Sequence, residues 1–139
     1  MIIREVLTKA FKVIPSGSLS LNGKTFTPSR SAIRSNEKLV LMDTELLERL
    51  WRADGESFYI TPGPEYKNQI GSRISQFKKY FEEHDDIQVG EFYVHESGRR
   101  GGFSNGRHRT RVLIDLGWPA VPVSMDDASI ETLYKITDK

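Results

Sequence analysis

The sequence predicts a single α+β domain made of short mixed strands and several helices. A chain of 139 residues with 37% hydrophobic residues is large enough for one core and too short for two. Apolar residues alternate in some stretches and recur every three or four residues in others, so both strands and helices are expected. These patterns do not form a long regular βαβ series, and no repeat or linker divides them. Residues 1–139 are therefore expected to form one domain.

The N-terminal part predicts a β-hairpin over residues 10–28. Residues 10–15 have the apolar character of a short strand, and apolar side chains alternate in SLSLNGKTFT around an Asn-Gly turn. The polar residues 29–36 that follow are expected to form a loop.

The central part predicts a strand and helix, a second strand, and a second helix. KLVLMD, residues 38–43, resembles a buried strand, and its Asp43 is a natural N-cap for a helix that Asp54-Gly55 ends. SFYITP predicts a short strand before a Pro-Gly-Pro stop. From Glu65 to about Glu83, apolar residues at spacings of three and four predict an amphipathic helix.

The C-terminal part predicts two more strands and two more helices. IQVGEFYVHE is the next strand candidate, and residues 97–102 form a loop rich in Gly and Arg. A helix is expected from about Gly106 to Leu116, followed by the strand AVPVSM and a C-terminal helix over about 127–138.

Composition excludes several classes of function. Lysine and arginine exceed aspartate and glutamate by only 20 to 19, so any nucleic-acid or membrane affinity must be local. The absence of cysteine excludes disulfides, thiolate metal sites and thiol nucleophiles. Charges interrupt the N-terminal MIIREVLTKAFKVIP, so no signal peptide is expected, and no run is long enough to span a membrane. A cytoplasmic protein without membrane association is expected.

The stretch SNGRHRTRVLIDLGW, residues 104–118, starts a helix with crowded positive charges. Asn105 is expected to cap this helix, and Gly117 follows it where a left-handed residue is favoured. Cations at a helix N-terminus are unfavourable by up to about 1 kcal/mol. Arg107 and Arg111, four residues apart, add about 0.2–0.5 kcal/mol of like-charge repulsion. Local stability therefore does not explain these residues.

A bound anion is one explanation of the charges. Unpaired backbone N–H groups, a glycine and guanidinium groups are the parts of a phosphate site. Arg99 and Arg100, across a Gly-Gly hinge, are expected to close over the same ligand or to contact DNA. The alternative is that the arginines pair with carboxylates such as Glu91, Glu96 or Asp115, and the sequence leaves both open.

The histidines point to no metal site. A structural or ligand-contact role is favoured for His108 over a role as general base. His84 and His95 lack metal-ligand spacing. Trp51 and Trp118 are expected in the core, and stacking of a base on one of them is the alternative.

The segment GGFSNGRHRTRVLIDLGWPAVPVSM resembles the nucleotide-binding segment of the ParB/sulfiredoxin superfamily, in which a Gly-x-His-Arg turn holds nucleotide phosphates. Together with LVLMDTELLERLWRADGESFYI and YKNQIGSRISQF, it is most similar to the plasmid fertility inhibition factors of the Osa and FiwA type. The resemblance covers about residues 38–125. Sulfiredoxin chemistry is excluded because the reactive cysteine has no counterpart.

This resemblance implies a ParB/sulfiredoxin-like fold with ATP or another nucleotide, or DNA, as ligand. It implies ATPase and DNase activity, which would use Mg²⁺, directed against DNA transfer through a type IV secretion system. The residues that would contact phosphates are Asn105, Gly106, Arg107, His108 and Arg109, with Arg111 in a supporting contact.

No motif assigns catalytic residues. Asp43, Glu45 and Glu96 are acidic residues near element ends that caps or surface charge explain equally well. One alternative is a non-enzymatic inhibitor that binds a type IV secretion component or a nucleoprotein complex, through an exposed patch that includes Trp118, Phe103 or Tyr93. Another is a structural use of the fold, with the arginines solvated or paired.

Overall fold

The structure is a computed structural model that describes residues 10–55 and 57–137. These residues form an α+β domain with five helices and eight strands. The strands are β1 (Phe11–Ile14), β2 (Leu19–Leu21), β3 (Lys24–Thr27), β4 (Lys38–Asp43), β5 (Asp86–Gln88), β6 (Gly90–Val94), β7 (Gly101–Asn105) and β8 (Ala120–Met125). The helices are α1 (Arg30–Arg34), α2 (Thr44–Ala53), α3 (Arg73–Glu83), α4 (Arg107–Asp115) and α5 (Asp127–Thr137).

Two mixed sheets organise the domain. The larger sheet has the order β1-β4-β8-β6-β7, in which only the β6–β8 pair is parallel. The smaller sheet has the order β2-β3-β5, with β3 and β5 parallel. The chain passes from the smaller sheet to the larger one at Val89, whose N–H donates to the Thr27 carbonyl at 2.9 Å.

The core lies between the larger sheet and the helices that pack on it. Helices α2, α4 and α5 contact this sheet, and α3 packs on α4. Strands β4 and β8 are buried along nearly their whole length, as continuous apolar runs of central strands usually are. Trp51 of α2 is fully buried, and it makes edge contacts with Tyr59 and Phe103.

Several predicted elements are confirmed. Asp43 caps α2, accepting a hydrogen bond of 3.1 Å from the N–H of Leu46. Asn22 and Gly23 both have positive φ, as the tight turn between β2 and β3 requires. The strand at residues 38–43 and the final strand have their predicted bounds, and the C-terminal helix runs from 127 to 137.

Two N-terminal predictions are wrong. The hairpin comprises only β2 and β3, because β1 pairs with β4 in the other sheet. Residues 29–36 contain helix α1 instead of a loop, since the Ser29 hydroxyl caps it by accepting from the N–H of Ala32 at 3.2 Å. The predicted absence of a signal peptide rests partly on residues 1–9, which lie outside the described residues.

The connection between α2 and α3, residues 54–72, differs most from the prediction. SFYITP forms no strand, and α3 begins at Arg73 instead of Glu65. Asn68 and Gly71 have φ values of +65° and +56°, which a helix cannot contain. We call residues 54–72, apart from the undescribed residue 56, the α2–α3 loop.

The predicted strand IQVGEFYVHE is divided between two sheets as β5 and β6. The predicted loop at residues 97–102 ends in β7, which pairs with β6. Among the helices of the described residues, none has the length and apolar character to cross a membrane.

Candidate functional site

The start of α4 is a sharp turn from strand to helix. Strand β7 ends at Asn105, and Gly106 occupies the N-cap position with φ +81° and ψ +19°. A Cβ atom on Gly106 would lie 2.6 Å from the Cα of Gly90, so this position accepts only glycine without rearrangement. No side chain caps the helix, and its first turn contains no acidic residue. Among the described residues, the first N–H groups of α4 therefore have no side-chain acceptor.

The predicted capping role of Asn105 is wrong. Asn105 is the last residue of β7, and its Nδ2 donates to Glu91 Oε2 at 3.2 Å. Because Gly106 makes the turn, the side chain of Asn105 is one residue too early to reach the helix N–H groups as an N-cap does.

A cleft of about 380 Å³ lies between α3 and the start of α4. Four of its lining residues, Arg73, Gln76, Phe77 and Tyr80, follow one another at helical spacing on a single face of α3. On the other side it is lined by Asn105, Gly106, His108 and Arg109. The structure thus brings four of the predicted phosphate-binding residues to one cleft, and adds Arg73 to them.

Arg109 is held at the cleft by neutral partners. Its Nη1 donates to the carbonyl of Gln88 at 2.7 Å, and its guanidinium carbon lies 5.9 Å from the ring centre of Phe77. Burial lowers the pKa of Arg109. An arginine nevertheless stays charged in a protein, and its buried N–H groups need hydrogen-bond acceptors. One hydrogen bond uses one of five guanidinium donors, so others remain for a ligand.

Arg107 makes a similar contact on the other side of the helix start. Its Nη1 donates to the carbonyl of Phe58 at 2.8 Å. Burial, and then the positive charge of Arg73, lower the pKa of Arg107. Within residues 10–55 and 57–137, no carboxylate lies within salt-bridge distance of Arg73, Arg107 or Arg109.

His108 is buried and neutral. Its Nε2 accepts a hydrogen bond of 2.9 Å from the N–H of Ile70, so the ring proton is on Nδ1. Burial, together with the charges of Arg107 and Arg73, lowers the pKa of His108 to about 4. The imidazole therefore fixes the position of the backbone at Ile70 relative to the first turn of α4. This is a structural role, one of the two that the sequence favours for His108.

Arg111, for which the resemblance implies an indirect contact or a contact with a DNA backbone, does not line the cleft. It is 1% exposed, and it forms salt bridges with Asp115 at 2.9 Å and Glu48 at 3.3 Å. Its Nη1 also donates to the Tyr59 hydroxyl and to the Ile60 carbonyl. For this arginine the alternative of carboxylate pairing is correct, because residue 111 is one turn further along α4 and points into the core.

The basic residues of α4 thus have a role that the sequence did not show. Arg107, His108 and Arg111 each bind one point on the backbone of the α2–α3 loop, at Phe58, Ile70 and Ile60. Backbone partners carry no sequence signal, since every residue has a carbonyl and nearly every residue an N–H. The need to attach this long irregular loop therefore explains part of the crowding of basic residues at the start of α4.

Arg99 and Arg100 are not brought to the cleft. Both are exposed, and they precede β7, whereas the cleft lies at its other end. Five residues of strand separate these ends by about 16 Å. Gly101 and Gly102 are not a hinge, because they pair with Val94 and Tyr93 in the sheet.

Glu91 is expected from the sequence only as a partner for the arginines, and the burial of its carboxylate was missed. Glu91 of β6 is 8% exposed, and its Oε2 accepts hydrogen bonds from Ser29 Oγ, Ser31 Oγ and Asn105 Nδ2 at 3.1–3.2 Å. The isolated glutamate in the otherwise apolar run VGEFYV was the available signal. Glu91 holds α1 and the end of β7 together beside the cleft.

The other candidate residues have structural partners. His84 stacks on Tyr80, and His95 Nδ1 lies 2.9 Å from Ser97 Oγ. Trp118 is half-buried against Phe26 and Phe81. In the part of the chain that the structure describes, no group of three His, Cys, Asp or Glu residues is placed to hold a metal ion.

Comparison of the chain with protein-family models, with characterised proteins and with solved structures gave no match. The resemblance to the fertility inhibition factors and to the ParB/sulfiredoxin fold stays a prediction from the sequence.

Proposed function

We propose that the cleft between α3 and the start of α4 binds the phosphate groups of a nucleotide or of nucleic acid. The observation that carries the proposal is that Arg73 and Arg109 line this cleft at a helix start without a side-chain N-cap, with Arg107 in the same first turn and close enough to Arg73 for that charge to lower its pKa. Like charges at this place are unfavourable without an anion. A phosphate would accept from the backbone N–H groups and from the guanidinium groups that still have free donors.

Arg73 replaces Arg111 in this site. Arg73 is exposed and lines the cleft, whereas Arg111 is occupied by Glu48 and Asp115. His108 is neutral, with its Nδ1 protonated, so it contributes a hydrogen-bond donor and no charge. The proposed set is Arg73, Asn105, Gly106, Arg107, His108 and Arg109.

The wider role follows from the resemblance and belongs to the same proposal. A chain of the fertility-inhibition type would use this site to act on DNA or a nucleotide, as an ATPase or DNase, and so oppose DNA transfer through a type IV secretion system. Mg²⁺ would neutralise the charge of the bound phosphates during such hydrolysis. Binding is the step on which this role depends.

The test is a calorimetric titration of the protein with tripolyphosphate, ATP, CTP and a short DNA duplex, each with and without Mg²⁺. Arg73→Gln removes a charge that has no carboxylate partner among the described residues, so this variant is expected to fold normally. Loss of one charged hydrogen bond should weaken tripolyphosphate binding by roughly tenfold. Binding should also weaken steeply as salt rises.

The matched control is Lys135→Ala, which removes an exposed charge from α5, a helix that does not line the cleft. It should leave binding unchanged. The proposal is wrong if none of these ligands binds, or if Arg73→Gln and Arg109→Gln both bind as tightly as the unaltered chain. In that case the alternative of a non-enzymatic inhibitor with a protein partner becomes the better hypothesis.

A further inference from the structure

Two residues with exposed aromatic side chains lie close to the start of α4. Tyr80 lines the cleft together with Arg109, and 45% of its surface is exposed. Phe58, whose carbonyl accepts from Arg107, is 60% exposed. Arg107 and Arg109 are two residues apart on a helix and point to different sides of it, so Phe58 and Tyr80 are each next to a different arginine of the same turn. Large apolar side chains left in solvent beside cations indicate a ligand with flat apolar surfaces.

The Tyr80 ring is already held in a stack. It lies parallel to the imidazole of His84, with ring centres 3.9 Å apart and an angle of 12° between the planes. Phe77 lies about one turn earlier along α3, with ring centres 6.5 Å apart. An aromatic ring fixed in this way loses little freedom when a further ring stacks beside it.

Basic residues predominate in the two segments that form the cleft beside Tyr80. Residues 66–81 carry four lysines and arginines, residues 97–114 carry five, and neither segment contains an acidic residue. These two segments supply α3 and α4, which face each other across the cleft. Arg111 is buried and paired with carboxylates, and Arg99 and Arg100 lie at the other end of β7, so the charge at the cleft comes from Arg73, Arg107 and Arg109. This local concentration of arginines is typical of a nucleic-acid ligand. Acidic residues resume in the sequence at Glu82, and the buried Glu91 is bonded to Asn105 beside the cleft.

We infer that the start of α4 and the cleft beside it bind a single-stranded nucleic acid. Its phosphates would lie on Arg73, Arg107 and Arg109, and bases would stack on Tyr80 and Phe58. The inference rests on the proposed phosphate site and names the class of ligand that occupies it. Bases in a duplex are stacked on each other and present no free face to an aromatic ring, whereas unpaired bases do. Two aromatic rings next to different arginines also need more than one base, which a free mononucleotide lacks.

The experiment measures fluorescence anisotropy of a labelled twelve-residue oligothymidylate, with a blunt duplex of equal length and ATP as competitors. The unaltered chain should bind the single strand more tightly than either competitor. Tyr80→Ala and Phe58→Ala should each weaken binding by about 5- to 150-fold, the range that loss of one stacked base produces. Neither change removes a charge, so tripolyphosphate should bind both variants as it binds the unaltered chain.

Tyr134→Ala is the matched control, because Tyr134 on α5 is also 45% exposed and does not line the cleft. It should bind the oligonucleotide normally. If neither oligonucleotide nor tripolyphosphate binds, the phosphate site itself is wrong. If tripolyphosphate binds but the duplex or ATP competes as well as the single strand, or if the two alanine variants bind it unchanged, the phosphate site stands and the single-strand inference is overturned.

Discussion

The Nε2 atom of His108 accepts a 2.9 Å hydrogen bond from the backbone N–H of Ile70. This bond joins the first turn of α4 to the far end of the α2–α3 loop. Arg107 and Arg111 attach the same loop at Phe58 and Ile60, so one helix holds residues 58–70, which form no helix or strand. The basic stretch that begins α4 therefore serves the fold as well as the proposed ligand.

The His108 bond predicts a pH-dependent stability. The folded-state pKa of His108 is about 4, below the usual 6.5, so between these values the unfolded chain binds a proton that the folded chain excludes. The contribution of neutral His108 to the free energy of unfolding is fully present above pH 6.5. As the pH falls to 4, up to about 3 kcal/mol of this contribution is lost. Urea unfolding measured from pH 7 to pH 4 checks this.

The comparison variant is His108→Gln, whose amide oxygen can accept from Ile70 and does not titrate. Its free energy of unfolding should fall less over this pH range than that of the unaltered chain. Equal losses in the two proteins would contradict the role given to His108, because the remaining loss from carboxylates is common to both.

Arg111→Met should strongly destabilise the domain. The change leaves the carboxylates of Glu48 and Asp115, which are 20% and 22% exposed, without their buried cation. Removal of one partner from a buried pair costs about 3 kcal/mol or more, although methionine fills much of the space. Denaturant unfolding measures the loss.

Arg52→Ala is the control for Arg111. Arg52 also pairs with Glu48, at 3.5 Å, but its side chain is 65% exposed. Exposed pairs contribute about 1 kcal/mol or less, so this variant should unfold at nearly the same denaturant concentration as the unaltered chain. Similar losses in both variants would mean that burial does not distinguish the two arginines.

Arg107→Ala tests the attachment of the α2–α3 loop separately from ligand binding. Loss of the 2.8 Å bond to Phe58 should let the loop open more often, so its amides should exchange hydrogen faster by at least several-fold, while β4 and β8 keep their protection. Arg73→Gln should leave exchange unchanged, because among the described residues the Arg73 side chain has no hydrogen bond to the loop and its backbone bond to the Ile70 carbonyl is kept. Equal exchange in the two variants would show that Arg107 does not hold the loop.

The sequence predicted the regular parts of the fold well. Strand β4, its Asp43 cap and strand β8 have strong local signals, since a long apolar run and a capping side chain act within a few residues. The α2–α3 loop was missed because its contacts are long-range and made by backbone atoms. The apolar Ile70 suggested a helical face, yet it is 52% exposed, and its N–H is bound by His108 instead of continuing a helix.

The sequence predicted the consecutive residues of the candidate site, but not the contribution of another helix or the burial of Arg111. Gly106, Arg107, His108 and Arg109 are consecutive, so the sequence shows them together. Arg73 comes from another helix, and only the packing of α3 on α4 brings it to the cleft. Arg111 looked equivalent to its neighbours, because the sequence does not show which turn of a basic helix faces the core.

Gly106→Ala should disrupt both the fold and the proposed site. Gly106 has φ +81°, a conformation that costs alanine about 1 kcal/mol, and the added Cβ would lie 2.6 Å from Gly90 Cα. Gly90 is held in β6 by its pairing with Val123 of β8, so relief of this contact requires the start of α4 to move away from β6. We expect the free energy of unfolding to fall by at least about 2 kcal/mol. Tripolyphosphate binding should also weaken in the folded variant, because the N–H groups at the start of α4 would be displaced.

Gly117→Ala separates the two causes, because Gly117 has nearly the same φ, +84°, but no atom within 4 Å of an added Cβ. It should lose only the conformational cost of about 1 kcal/mol and keep its affinity for tripolyphosphate. If the two variants unfold alike, the close approach of Gly106 to Gly90 does not constrain the start of α4. The helix N-terminus could then move, and the geometry that supports a phosphate at this point would not be fixed by the fold.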